Sequence, residues 1–428
     1  MTESIEIQPL GGPIEATVRP PGSKSITNRA LVCAALARGE SRLIGTLDSE
    51  DTRVMIDSLR RLGIVVDDSI PAQLRLRGCE GQLPAREADL YVGNSGTTIR
   101  FLTALVALGD GRFRLDGVPR MRERPIQDLL AALGELGVDA RSEGGNGCPP
   151  VVVRARGLRG GAATIAGNVS SQFLSGLLMA APYAARDVEL TIARQLVSQP
   201  YVEMTRRMMS AFGVEVVSGQ TAAGQQRYTI AAGQRYEGRD NQVEPDASAA
   251  SYFWAAAAIA GGRVTVEGLH RDSLQGDVAF CDCLQRMGCR IEYGDDCITA
   301  VGGELHGIDV DMNAISDTVQ TLAAVALFAS GPTTIRGVAH IRHKETDRIA
   351  ALASELGKLG AAVEERPDGL RIEPGELRPA EIETYDDHRM AMSLALVGLK
   401  TPGVTILNPR CVEKTYPRFF DDLARLAR

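Results

Sequence analysis

The sequence predicts an α/β fold built from six repeated units, three to a domain, with helices packed inside and sheets outside. Two observations carry this. One grammar recurs at a spacing of about 70 residues, and one helix in each repeat is apolar nearly all the way round. A third observation divides the chain. The most irregular join, GQRYEGRDNQVEP at 233–245, falls between the third and fourth repeats and marks a domain crossing.

Each repeat opens with its apolar helix, a glycine-containing turn and a β-branched strand. These read ALVCAALARGESRLIGTL from Ala30, FLTALVALGDGRFRLDGV from Phe101 and FLSGLLMAAPYAARDVELTI from Phe173. They continue as ASYFWAAAAIAGGRVTVEGL from Ala250, VQTLAAVALFASGPTTIRGV from Val319 and MAMSLALVGLKTPGVTILNP from Met390. A helix with no polar face must be covered on every side, so these form the interior. A second helix follows in most repeats: MIDSLRRLGIVV, LLAALGELGVDA, MTRRMMSAFGVEVV, CLQRMGCRIEY and LASELGKLGAAVEE. These are amphipathic and end on a glycine, the residue that caps a helix C-terminus in the left-handed conformation. A repeat of this length is too long for a solenoid unit and suits a small α/β subdomain.

The chain has 428 residues, 44% of them hydrophobic and 24% charged, enough for two or three domains with ample cores. A formal charge of −7 argues against general affinity for nucleic acid or anionic membrane. The start, MTESIEIQPLGG, lacks the layout of a secretory signal, and no run of about 18 apolar residues occurs. A cytoplasmic protein with neither nucleic-acid nor membrane partner is expected. The eight cysteines are scattered and read as free thiols. No Cys or His set with zinc spacing accompanies His340 and His343, so no metal is expected.

Polar clusters stand directly before the apolar helices: GSKSITNR, GNSGTTIR, GNVSSQ, EPDAS, AISDT and YDDHR. The first looks like a phosphate-cradling P-loop, but Ser23 separates Gly22 from Lys24 and no glycine stands at the required offset upstream. A helix N-terminus offers unpaired N–H groups and about half a positive charge, hence a place for an anion. Plain capping explains EPDAS. It does not explain Lys24, Arg29, Arg100 or Arg389. Further cations come from MRERPIQDL, IRHKETDRI and RCVEKTYP, where Arg124-Pro125 and the Lys344–Arg348 run occupy the same place in different repeats. Arg122 and Arg342 read as solvated surface. Such a cation set fits at least two phosphate or carboxylate groups. Asp317 and Glu345 are carboxylates set among these cations, which predicts acid–base chemistry on a multiply anionic substrate.

Eight strings now carry a resemblance: PGSKSITNRAL, GNSGTTIRF, RERPIQDL, SSQFLSGLLMAAP, PDASAASYF, KETDRI, DDHRMAMSLAL and KTYPRFF. In this order, from about residue 10 to residue 425, the chain resembles the EPSP synthase family of enolpyruvyl transferases. The resemblance implies a two-domain inside-out α/β barrel of βαβαββ repeats. Residues 1–22 with 243–428 would form one domain, 23–242 the other, and the active site would lie in the cleft between them. It implies transfer of the enolpyruvyl group of phosphoenolpyruvate to shikimate 3-phosphate, without metal or organic cofactor, by a monomer. By position, Asp317, Glu345 and Lys24 match the catalytic groups. Lys24, Ser25, Arg29, Ser170, Ser171, Gln172, Ser198, Asp317 and Lys344 match shikimate 3-phosphate contacts. Lys24, Asn94, Gly96, Arg124, Gln172, Arg348, Arg389 and Lys414 match phosphoenolpyruvate contacts.

The chain departs from the family at three places. His340 stands where Asn is frequent, Phe101 where Pro is frequent, and Ser95 where Ala is frequent. Gly96 leaves room for the inhibitor glyphosate, whereas Phe101 bears on the course of that helix. Two alternatives are set against the transfer to shikimate 3-phosphate. The sister enzymes that act on UDP-N-acetylglucosamine use a loop cysteine and a Lys-Asn pair, whereas this chain has Lys24-Ser25 and a cysteine-free DGVPRMRER loop. A non-catalytic anion-binding protein on the same scaffold would need the cations but not Asp317 and Glu345.

Overall fold

A computed structural model describes residues 3–426. The chain divides into two compact units, Met1–Pro21 with Glu244–Arg428, and Gly22–Val243. The continuous unit holds α1 (Lys24–Leu36), α2 (Glu50–Arg61), α3 (Gly96–Leu105), α4 (Gln127–Glu135), α5 (Ser171–Ala180) and α6 (Gln199–Ala211). The discontinuous unit holds α7 (Ala247–Ala260), α8 (Phe280–Arg286), α9 (Val319–Ala326), α10 (Arg348–Lys358), α11 (His388–Gly398) and α12 (Phe419–Arg425).

The odd-numbered helices are the apolar ones of the sequence, and they form the interior of each unit. Every residue of α3, α9 and α11 is buried. The even-numbered helices bury one stripe only: α10 turns Ile349, Leu352 and Leu356 inward, at helical spacing. Side chains of Ser23, Ser95, Ser170, Asp246 and Asp387 accept backbone N–H groups at the starts of α1, α3, α5, α7 and α11. The EPDAS cluster is therefore a cap, with Asp246 accepting from Ala249 at 2.9 Å. The glycines read as C-caps of the outer helices take positive φ, as at Gly63 (+85°) after α2 and Gly213 (+91°) after α6.

Each repeat builds one sheet with a fixed plan. In the second repeat, Glu87–Tyr91 runs parallel to Asp110–Asp116, which pairs antiparallel with Val151–Arg156, itself paired with Asp139–Ser142. Two repeats take their first strand from a distant part of the chain. Ile14–Val18 lies parallel to Gly262–Glu267, and Asp240–Gln242 lies parallel to Glu40–Ile44. Each connection between the compact units thus replaces the loop that would join a first strand to its inner helix. The sixth sheet is three-stranded: Ser4–Glu6 pairs antiparallel with Val404–Leu407 where the other repeats have a hairpin.

All eight cysteines are free thiols. No helix among the described residues is long and apolar enough to cross a membrane.

Two glycines separate backbone strain from propensity. A Cβ on Gly213 would make only ordinary contacts, but at φ +91° it is strained, so Gly213→Ala is expected to cost about 1 kcal/mol. Gly134 lies exposed within α4 with open space around it, so Gly134→Ala is expected to gain roughly 0.5–1 kcal/mol. Urea midpoints of the two variants should shift in opposite directions.

Candidate functional site

In the discontinuous unit the guanidinium of Arg348, 1% exposed, is the hub. It is the first residue of α10, just behind the Asp347 cap. Its Nε donates to Asp387 Oδ2 at 2.8 Å, and its Nη2 donates to Asp387 Oδ1 at 3.2 Å and Glu345 Oε2 at 2.9 Å. Its Nη1 reaches Asp317 Oδ1 at 3.3 Å. Burial works against the charge, but Asp387, Glu345 and Asp317 outweigh it and hold the pKa above the usual guanidinium value.

The two acids each meet further cations. Asp317 lies in the short 3₁₀ turn Asn313–Thr318 that leads into α9. Its Oδ2 accepts from Arg389 Nη2 at 2.8 Å, and Lys344 Nζ stands 3.9 Å from Oδ1. Glu345 Oε1 is 3.5 Å from Lys414 Nζ, both side chains being 7% exposed. Arg389, in the first turn of α11, also reaches the Tyr252 hydroxyl on α7 at 3.5 Å. Lys344 and Lys414 end corresponding 3₁₀ turns in the fifth and sixth repeats, Ala339–His343 and Pro409–Lys414. Lys344 shares this place with Arg124, which follows the 3₁₀ turn Pro119–Glu123 of the second repeat, so the sequence coincidence between those two is a structural one.

In the continuous unit Arg29, Arg100 and Arg124 donate to neutral oxygens, and Lys24 meets a carboxylate. Arg124 follows the matching 3₁₀ turn Pro119–Glu123, and its Nη1 donates to Asn94 O at 2.9 Å and Asn94 Oδ1 at 3.1 Å. Arg100 donates to Gly96 O, Gln172 Oε1 and Pro125 O, and its guanidinium lies 5.4 Å from the Phe173 ring centroid. Gln172 in turn donates to Thr97 Oγ1 at 3.1 Å. A Cβ on Gly96 would run into the guanidinium groups of both Arg124 and Arg100, so only glycine leaves them where they are. Arg29 donates to Ser25 O, Tyr201 O, Thr205 Oγ1 and Ser175 Oγ, with its guanidinium 5.2 Å from the Phe101 ring centroid. Burial lowers its pKa to about 10, which still leaves a cation at neutral pH. Lys24, the first residue of α1, pairs with the buried Asp51 at 3.6 Å.

The structure thus gathers Asp317, Lys344, Glu345, Arg348, Arg389 and Lys414 into one cluster, and Asn94, Gly96, Arg124 and Gln172 into another. Ser25, Ser170 and Ser171 lie at the starts of α1 and α5. Ser198, buried at φ +51°, immediately precedes α6. Sequence reasoning gave no site role to Asp387, Asp51, Thr97 or Tyr252. Asp387 was visible in YDDHR as a cap, and a cap it is, but it carries Arg348 as well. Asp51 had no separate signal beside the Ser49–Thr52 capping box. Arg122 is half exposed and paired with Asp116 at 2.8 Å, as a surface residue. Arg342, less exposed, pairs with Asp347 and Glu365. Among the described residues no group of His, Cys, Asp or Glu side chains could hold a metal ion.

His340 is 4% exposed, and its pKa is pushed down to about 3, first by burial and then by Lys344, against a smaller opposing pull from Asp317. An unfolded chain binds that proton near pH 6.5. Between these values the unfolded state is the more protonated, so this stability contribution is complete above about pH 6.5 and is lost as pH falls towards 3. The His340 ring resonances should show no titration between about pH 8 and pH 5, whereas a midpoint near 6.5 would contradict the buried neutral imidazole.

The family model for EPSP synthase (3-phosphoshikimate 1-carboxyvinyltransferase) matches residues 9–423. The chain is 53% identical over 420 residues to the 3-phosphoshikimate 1-carboxyvinyltransferase of Nostoc punctiforme, covering 98% of each. It is 51% identical over 418 residues to that of Thiobacillus denitrificans, covering 96% of this chain and 97% of the relative. Among solved structures, the EPSP synthase of Acinetobacter baumannii aligns with a TM-score of 0.81 at 27% identity, over 99% of this chain and 98% of that one. This chain belongs to the EPSP synthase family.

Proposed function

We propose that this protein transfers the enolpyruvyl group of phosphoenolpyruvate to the 5-hydroxyl of shikimate 3-phosphate. The products are 5-enolpyruvylshikimate 3-phosphate and phosphate, on the route to chorismate and the aromatic amino acids. The supporting observation is the setting of the two acids: Asp317 against Arg348, Arg389 and Lys344, and Glu345 against Arg348 and Lys414. A binder of anions would use the cations alone. A carboxylate held among them gives a proton acceptor or donor beside a bound anion.

Addition followed by elimination accounts for the bonds. The 5-hydroxyl oxygen attacks C2 of phosphoenolpyruvate and loses its proton to Asp317, while C3 gains a proton and becomes a methyl group. The adduct then expels phosphate as a proton leaves that methyl, restoring the double bond. Glu345 and Lys24 are the groups for the proton at C3 and for the departing phosphate oxygen. Arg124, Arg348, Arg389 and Lys414, with Asn94, Gly96 and Gln172, hold phosphoenolpyruvate. Ser25, Arg29, Ser170, Ser171, Gln172, Ser198 and Lys344 hold shikimate 3-phosphate, and Lys24 serves both. The reading requires that residues of both compact units act on one pair of substrates.

Asp317→Asn keeps the shape and removes the base. Turnover is expected to fall by at least about 100-fold, with binding of shikimate 3-phosphate kept within about tenfold. Lys24→Met should likewise abolish turnover in a protein that still folds. Near-normal turnover in either variant removes that residue from the mechanism.

A further inference from the structure

Seven positions along α10 from Arg348, about two turns on, stands Glu355. Its side chain is fully buried, yet it lies outside the cluster described above. Its Oε2 accepts from Lys358 Nζ at 2.7 Å and from the backbone N–H of Glu383 at 3.0 Å, and its Oε1 accepts from the Tyr385 hydroxyl at 2.7 Å. Two of these three donors belong to the short segment that leads into α11.

That segment has an unusual backbone. Tyr385 and Asp386 take φ values of +52° and +54°, consecutive left-handed positions without a glycine. Such a conformation persists only where the surroundings hold it. Glu355 holds it on one side. On another, Asp386 Oδ1 accepts from Asn408 Nδ2 at 3.2 Å, and Asn408 opens the turn that ends at Lys414. The next residue is Asp387, which grips Arg348 with both oxygens, and two further on is Arg389, which meets Asp317. The segment is therefore pinned to α10 at two points, Arg348 and Glu355, and a body pinned at two points cannot pivot about either.

We propose that Glu355 is a positioning residue: by holding Glu383 and Tyr385 against α10, it sets where Asp387 and Arg389 stand relative to Arg348. This rests on the proposed function, since Arg348 and Arg389 are there the groups for phosphoenolpyruvate. A purely structural role for the same carboxylate would show in stability alone.

Three variants separate the two. Tyr385→Phe removes one O–H and leaves no cavity; Glu355→Gln loses the charge and cannot accept both bonds from the segment as before. Lys358→Met removes the partly exposed ion-pair partner but leaves both bonds to the segment. Turnover of the unaltered protein is measured first, so that failure of the functional reading is seen separately. Tyr385→Phe and Glu355→Gln are then expected to raise KM for phosphoenolpyruvate by about tenfold, with KM for shikimate 3-phosphate within about twofold. Lys358→Met is expected to lower the melting midpoint with both KM values unchanged. Lower melting midpoints in all three, with unchanged KM for phosphoenolpyruvate, would overturn the proposal. If Glu355→Gln does not fold, Tyr385→Phe alone decides: an unchanged KM for phosphoenolpyruvate overturns it.

Discussion

The site in the discontinuous unit depends on one buried charge, the Arg348 guanidinium. Three carboxylates converge on it, Asp387 with both oxygens and Glu345 and Asp317 with one each. Removing one partner of a buried ion pair costs about 3–5 kcal/mol, because the charge left behind has neither water nor a counterion. The planar fork of arginine makes these four bonds at once, one more than the three donors of a lysine ammonium allow. The acids come from three places: the turn before α9, the turn before α10, and the cap of α11. One side chain therefore fixes how those three chain segments stand to each other.

The inner helices of the discontinuous unit start within about one turn of one another. A layer of hydroxyls marks this in the discontinuous unit, where Ser251 of α7 meets Thr321 of α9 at 3.1 Å and Thr321 meets Ser393 of α11 at 3.3 Å. Each of these residues lies within the first two turns of its helix. The continuous unit satisfies its charges otherwise. Arg29, Arg100 and Arg124 donate to carbonyl, hydroxyl and amide oxygens and stack on Phe101 and Phe173. Neutral acceptors of this kind fix where a guanidinium stands without adding a charge of their own. On the proposed reaction, one set of residues supplies the placed acids Asp317 and Glu345, and the other supplies Lys24 together with field and shape.

Much of this was legible in the sequence because it obeys short-range rules. Helices without a polar face had to be inside, glycines had to end the outer helices, and Ser or Asp had to cap the inner ones. Lys24, Arg29, Arg100 and Arg389 stood out because capping alone does not call for them, and Asp317 and Glu345 because they are carboxylates set among cations. What stayed hidden depends on distant pairings. The strand Asp240–Gln242 is three residues of DNQ, too short and polar to show a period, and it exists because Glu40–Ile44 lies beside it. In YDDHR, Asp387 carries no signal beyond that of a cap, and Asp51 carries none of its own. Glu355 looked like one more charge on an amphipathic helix, and its burial follows from a turn some thirty residues away.

The central claim is that acids placed among these cations transfer enolpyruvate to shikimate 3-phosphate. Phosphate release from phosphoenolpyruvate tests it most directly, with shikimate 3-phosphate and UDP-N-acetylglucosamine offered as separate acceptors. Release with shikimate 3-phosphate alone is the result the account predicts. Release with only the nucleotide sugar, or with neither acceptor in a folded protein that binds phosphoenolpyruvate, would contradict it.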